Sequence, residues 1–117
     1  MEEQLLELPE KIRNLSLDIL VINQQVQDLE FKQEVTKNKT FCEIVDEKDK
    51  NDKPLYSNET KRRDELNKRL ELDSEYQQQD SELKQSKITY QKMTINLEML
   101  NNKQKNFRAL CYLNNPK

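Results

Sequence analysis

Apolar residues enter this chain in a regular alternation of three and four: Leu5, Leu8, Ile12, Leu15, Ile19, Ile22, Val26 and Leu29. That is the a/d repeat of a helix packing along one narrow seam. It predicts a first helix over about residues 5–40. Pro9 suits a first helical turn, so regular helix is expected from about that point. The apolar positions thin out after Val35, which places the expected end near 40.

Residues 41–57 do not carry the repeat. Thr40-Phe41-Cys42-Glu43-Ile44-Val45 is short and β-prone, Asp46 to Lys53 alternates charges, and Pro54-Leu55-Tyr56 is apolar again. The stretch reads as a charged tip loop with strand character, or as a small β-hairpin. Ser57 or Asn58 then offers an N-cap for a short helix over about 58–72. Glu59 with Arg63, Asp64 with Lys68 and Glu65 with Arg69 stand four apart and support it. Asp73-Ser74-Glu75-Tyr76 offers a second cap and a kink or short break; a continuous helix from 58 onward is the alternative.

From Tyr76 a second seam runs through Leu83, Tyr90, Met93, Leu97, Leu100, Phe107 and Cys111, with Gln79, Ser86 and Gln104 at the intervening positions. It predicts a helix over about 74–113, ending before Asn114-Asn115-Pro116. The two long segments span about 48 Å and about 58 Å at the helical rise, so one chain can lay them side by side. The expected fold is all-α: a single domain forming an antiparallel coiled-coil hairpin, with a central loop or small β-hairpin and a short extra helix.

This hairpin leaves apolar residues over. Leu17, Leu20, Val21, Phe31 and Val35 fall on the b, c and f side of the first helix; Ile88, Ile95, Met99 and Leu113 fall on the c and f side of the second. Burying each is worth roughly 1.5–3 kcal/mol. Leu17, Val21, Phe31, Ile88, Ile95 and Met99 are therefore the expected self-association face, with a dimer of hairpins the favoured bundle.

Composition narrows the functions. Of the 117 residues 33% are hydrophobic and 36% charged, too few apolar residues for a compact single-core globule but enough for long helices with narrow seams. With no glycine, the close backbone approaches of Rossmann and P-loop sites are not available. With no histidine, the usual general base and commonest metal ligand are missing. No cofactor, metal site or catalytic set is expected. The two cysteines, Cys42 and Cys111, suit reduced, packed thiols, and Tyr56, Tyr76, Tyr90 and Tyr112 suit packing roles. No apolar run approaches the ~18 residues of a membrane span, and the N-terminus lacks a basic signal start. These features place the chain in the cytoplasm, away from membranes. The net charge of −2 gives no strong field for nucleic acid.

Two local features are candidate contact sites. Phe41, Ile44, Val45, Leu55 and Tyr56 put apolar residues among the charges of the tip, where a loop held by rigid elements meets a protein partner. Lys61, Arg62, Arg63, Lys68 and Arg69 form a basic cluster that could meet phosphates, although neighbouring acids offset most of its charge. The run Asp46–Asp52 is no calcium loop: it lacks the turn glycine and the closing glutamate.

The stretch Leu55-Tyr56-Ser57-Asn58-Glu59-Thr60-Lys61-Arg62, with Leu70, Asp73, Tyr76 and Asn106-Phe107-Arg108-Ala109-Leu110, resembles small helical proteins of bacteriophages and prophages. That resemblance implies a phage accessory factor, or an inhibitor of a host system, acting in the host cytoplasm by binding a protein. The order of helix, β-prone centre and helix is also similar to a prefoldin β subunit, without the glycine of that family's central hairpin; it implies a holdase. Together these readings predict a non-enzymatic interaction protein whose protein partner the sequence does not specify. The alternatives are a nucleic-acid-associated recombination accessory factor and a prefoldin-like holdase.

Overall fold

The computed structural model describes residues 2–114, with side chains from Leu6 onward; the expected seam position Leu5 and the stop at Asn115-Pro116 lie outside what is described. Three helices follow in order: α1 (Glu2–Asp46), α2 (Glu59–Leu72) and α3 (Ser74–Asn114). No strand occurs among the described residues. The one trace of β pairing is an isolated antiparallel bridge between Lys48 and Pro54. The chain is thus all-helical and compatible with a helical hairpin, and the central β-hairpin expected as one form of residues 41–57 is not formed.

The largest difference from the sequence reading is the length of α1. It starts at Glu2, carries Pro9 inside it, and continues through Thr40-Phe41-Cys42-Glu43-Ile44-Val45 to Asp46. The two threonines at its approach satisfy their hydroxyls inside the helix, and packing holds the stretch helical. Thr36 Oγ1 donates to the Lys32 carbonyl (3.1 Å) and Thr40 Oγ1 to the Thr36 carbonyl (3.0 Å), so the hydroxyls bond back into the preceding turn. Ile44 is then completely buried against Leu66 and Leu70 of α2, and tertiary packing overrides propensity.

The helices contribute to two compact units, Met1–Gln25 with Ser86–Lys117, and Val26–Gln85. In the first, Leu8 is buried, and Ile12, Leu15, Ile19 and Ile22 of α1 are half-buried. Tyr90, Met93, Leu97, Leu100, Phe107 and Cys111 of α3 are half-buried too. Partial burial is what two paired helices can achieve, because each seam is covered from one side only.

In the second unit the α1 seam does not stop but turns polar. Gln33, Thr36 and Thr40 follow Leu29 at the same spacing and are half-buried. Gln33 Nε2 donates to Asp80 Oδ1 of α3 at 3.4 Å. Across the seam Leu83 is buried, and Gln79 Oε1 is buried without a hydrogen-bond partner. Below this polar stretch Ile44, Leu66 and Leu70 form the core cluster, with Tyr56 and Tyr76 packed against it.

Candidate functional site

The segment between α1 and α2 is built by its own backbone chemistry. The Asp49 carboxylate accepts from the amides of Asn51 (2.8 Å) and Lys53 (3.0 Å), the Asx-turn use of aspartate. The Asp49 amide donates to the Lys53 carbonyl (2.7 Å), and the Leu55 amide to the Glu47 carbonyl (3.0 Å). Asp52 takes a left-handed backbone conformation, φ 63°, the step that a glycine-free chain must assign to an aspartate. Asn58 then caps α2, its Oδ1 accepting from the Lys61 amide at 2.8 Å.

Asp73 separates α2 from α3 and serves both. Its amide donates to the Leu70 carbonyl (3.3 Å), closing α2, while its Oδ1 accepts from the Tyr76 amide (3.1 Å), opening α3. The Gln77 side chain adds a hydrogen bond to the same Leu70 carbonyl at 2.9 Å. One residue in extended conformation (φ −83°, ψ 107°) thereby satisfies groups at two helix ends.

Arg69 is the electrostatic centre of this region. Its Nη2 donates to both carboxylate oxygens of Glu47 at 2.8 Å, and its Nε donates to Glu65 Oε1 at 2.9 Å. The guanidinium also lies over the Tyr56 ring, 5.9 Å from its centroid. The Glu65 and Glu47 hydrogen bonds hold the Arg69 pKa above its ordinary value. The same Arg69 hydrogen bond, followed by partial desolvation that opposes it, leaves the Glu65 carboxyl below its usual value. A salt-linked network therefore ties the start of the loop to α2.

These facts place each candidate residue. Of the apolar tip set, Phe41 (37% exposed) and Leu55 (47% exposed) face solvent, Val45 and Tyr56 are half-buried, and Ile44 is in the core. Ile44 is thus a packing residue and not a surface contact. Phe41 lines a groove between α1 and α2 with Lys37, Glu59, Arg63 and Asn67.

The basic set does not form one face. Successive residues on a helix turn by about 100°, so Lys61 and Lys68 point one way, Arg62 and Arg69 another, and Arg63 a third. Arg62 Nε donates to the Tyr56 carbonyl (3.0 Å), Arg63 pairs with Glu59 (3.4 Å), and Arg69 is held by two glutamates. Lys61 and Lys68 border a shallow cleft with Leu55, Tyr56, Asp64 and Glu65.

The expected self-association set is exposed throughout: Leu17, Val21, Phe31, Ile88, Ile95 and Met99 each lie outside the seam. Leu20, Val35 and Leu113 are exposed as well. Cys42 is an exposed thiol and Tyr112 an exposed ring, against the packed roles expected of them; Cys111 is half-buried and both thiols are free. Among the described residues no helix is long and apolar enough to cross a membrane.

Sequence reasoning missed Glu47 and Asp49. Glu47 reads as one charge in an alternating run, and its partner stands 22 positions away. Asp49 carried a usable signal, an aspartate two residues before Asn51 in a stretch without apolar residues.

The class these features define is an all-helical protein of two long paired helices, with a short third helix braced against their connection. The chain matches no protein-family model, no curated protein and no solved structure.

Proposed function

We propose that the chain is a non-enzymatic protein-interaction module, a helical scaffold whose working surface is the apolar side chains it turns outward. The balance of burial carries this reading. Among the described residues fifteen large hydrophobics are exposed, beside a half-buried seam and five buried side chains, so a large share of the apolar side chains faces out. Apolar surface concentrated on helix backs is surface for another macromolecule. The Arg69 network supports a rigid mount for Phe41 and Leu55, the exposed apolar side chains of the central segment. The resemblance of the second half to small helical bacteriophage proteins directs the reading toward a phage accessory factor that binds, and inhibits, a component of a host system in its cytoplasm.

Two alternatives lose support. A prefoldin-like holdase rested on the order of helix, β-prone centre and helix, and the β-prone centre is helix and loop instead. A nucleic-acid factor rested on one basic face, and Arg62, Arg63 and Arg69 are turned to protein acceptors.

The test is affinity capture from a lysate of the natural host with the tagged full chain, beside a Phe41→Ser, Leu55→Ser variant of unchanged helix content. The expected result is one protein in stoichiometric yield, its recovery falling at least about tenfold in the variant. Nucleic acid captured in a salt-dependent manner, with no protein, would replace the reading with the nucleic-acid alternative.

A further inference from the structure

Within the unit Val26–Gln85 several seam positions carry polar side chains: Gln33, Thr36 and Thr40 on α1, and Gln79 on α3. A place where a chain departs from the pattern its fold requires is a functional or a strained one. Gln33 is satisfied by the Asp80 carboxylate at 3.4 Å. Gln79 is not: its Oε1 is buried with no hydrogen-bond donor. Buried acceptors are paired in the great majority of cases, so this one needs a reason.

Gln79 also lines a groove. A space of about 380 Å³ between α1 and α3 is bordered by Phe31, Lys32, Val35, Thr36, Glu75 and Gln79. Thr36 and Gln79 are half-buried and the other four are exposed, so the two seam residues form the floor and the rest the walls. Phe31 is 71% and Val35 50% exposed. The floor does not satisfy its own acceptor, because Thr36 Oγ1 gives its proton to the Lys32 carbonyl at 3.1 Å. The last torsion of a glutamine side chain is soft. A small turn of the amide presents Oε1 to a donor entering from the groove.

Three features define that donor's carrier. The size lies at the lower end of ligand pockets, about 300–1,000 Å³, the scale of one large side chain and not of a whole helix. Phe31 and Val35 offer apolar contact to an aromatic ring. Lys32, on the same wall, suits the electron-rich face of such a ring, and tryptophan is the strongest ring in that role. A tyrosine hydroxyl would bring an acceptor of its own to a floor with no free donor; an indole N–H only donates.

The geometry points to this groove as the pocket for a tryptophan side chain of a protein partner, with the indole N–H on Gln79 Oε1 and the ring against Phe31 and Val35. The chain contains no tryptophan, so the occupant is a different protein and not a second copy. The inference rests on the interaction reading above and gives the partner an anchor of the kind that dominates interfaces.

Two small probes test it on the full chain: N-acetyltryptophanamide and its counterpart methylated on the indole nitrogen. NMR titration should shift the Gln79 side-chain amide and the Phe31 ring with the first probe, and the methylated probe should bind about tenfold more weakly. Gln79→Leu should erase that difference. It should also raise the urea midpoint, since it removes the orphan acceptor beside the buried Leu83. Should that variant misfold, Phe31→Ala, at an exposed position, serves instead and should weaken the first probe at least about fivefold. Absence of shifts at both residues, equal binding of the two probes, a difference that survives Gln79→Leu, or tighter binding of 4-methylphenol would each overturn the assignment. Host-protein capture through Phe41 and Leu55 without probe binding would sink this pocket and keep the interaction reading. Probe binding by a chain that captures no protein would keep the pocket and remove that reading.

Discussion

Arg69 Nη2 stands 2.8 Å from each carboxylate oxygen of Glu47, and through that contact α2 holds the residue that follows α1. Glu47 is 40% and Arg69 28% exposed, so solvent screens the pair and the gain is modest. A double-mutant cycle of Glu47→Gln and Arg69→Gln should give a coupling of about 1 kcal/mol. Arg69→Lys should recover less than half of it, because an ammonium cannot hold Glu47 and Glu65 through separate nitrogens. Urea denaturation of the four proteins measures the coupling, and a value near zero would mean that the contact is held in place by packing alone.

The acid limb of stability should report on Glu65. Its folded pKa lies below the usual 4.5, chiefly because Arg69 donates a hydrogen bond to the ionised form. A lowered folded pKa means that the stabilisation is complete above the unfolded value. It is lost as pH falls through the folded one. Stability should therefore be insensitive to this group near neutrality and should decline below about 4.5. Arg69→Gln should move the Glu65 carboxyl, followed by NMR, back toward its usual value. Arg69 itself contributes no pH dependence, since its raised pKa keeps it charged throughout.

Ile44 separates the packing role from the contact role in the central segment. It is fully buried, whereas Phe41, three residues earlier, lines a groove open to solvent. Ile44→Ala should cost about 3 kcal/mol, since the cavity opens against Leu66 and Leu70 of α2, with Tyr56 and Tyr76 packed on the same cluster. Phe41→Ser should cost about 1 kcal/mol and act on partner binding instead. Denaturant midpoints of the two variants, read beside capture yields, distinguish the roles; equal midpoints would contradict the burial assignment.

The seam was legible because its information is local. The spacing of Leu8, Ile12, Leu15, Ile19 and Ile22 is enough to place each residue on one helix face, and each is buried or half-buried where most residues beside it are exposed. Asp73 was legible for the same reason: an aspartate followed by Ser74 and Glu75 caps whatever helix comes next. The end of α1 was not legible. Thr40 to Val45 favours strand by composition, and only the burial of Ile44 by Leu66 and Leu70, more than twenty positions away, decides for helix. The seam through Gln33, Thr36 and Thr40 was hidden as well, because polar residues at a and d positions leave no hydrophobic signal. For the candidate sites, the exposure of Leu17, Val21, Ile88, Ile95 and Met99 followed from helical phase. The dispersal of the basic cluster needed the side-chain partners of Arg62 and Arg69.

Asp73 should prove costly to replace because two helix ends depend on it. Asp73→Ala removes the acceptor of the Tyr76 amide and should lower stability by about 1 kcal/mol. Hydrogen exchange at Tyr76, whose amide it caps, should rise, while the amides of α1 should change only as far as global stability does. Asp73→Ser should restore most of the loss, since a serine also caps. Unchanged Tyr76 exchange in the alanine variant would indicate that α2 and α3 had fused into one helix through residue 73.

Asp52 tests how a chain without glycine makes a tight turn. Its φ of 63° is open to aspartate at modest strain and closed to a β-branched residue without a larger one. The ion pair of its side chain with Lys48, at 3.6 Å and well exposed, contributes little, so the backbone should govern substitutions there. Asp52→Val should destabilise by about 1 kcal/mol. Asp52→Gly should be neutral or gain a few tenths of a kcal/mol, because relief of strain is set against greater freedom in the unfolded chain. The Asp49 hydrogen bonds to Asn51 and Lys53 should survive in the glycine variant and exchange faster in the valine one. If valine is tolerated as well as glycine, residue 52 does not hold the left-handed conformation in solution, and the turn closes by another route.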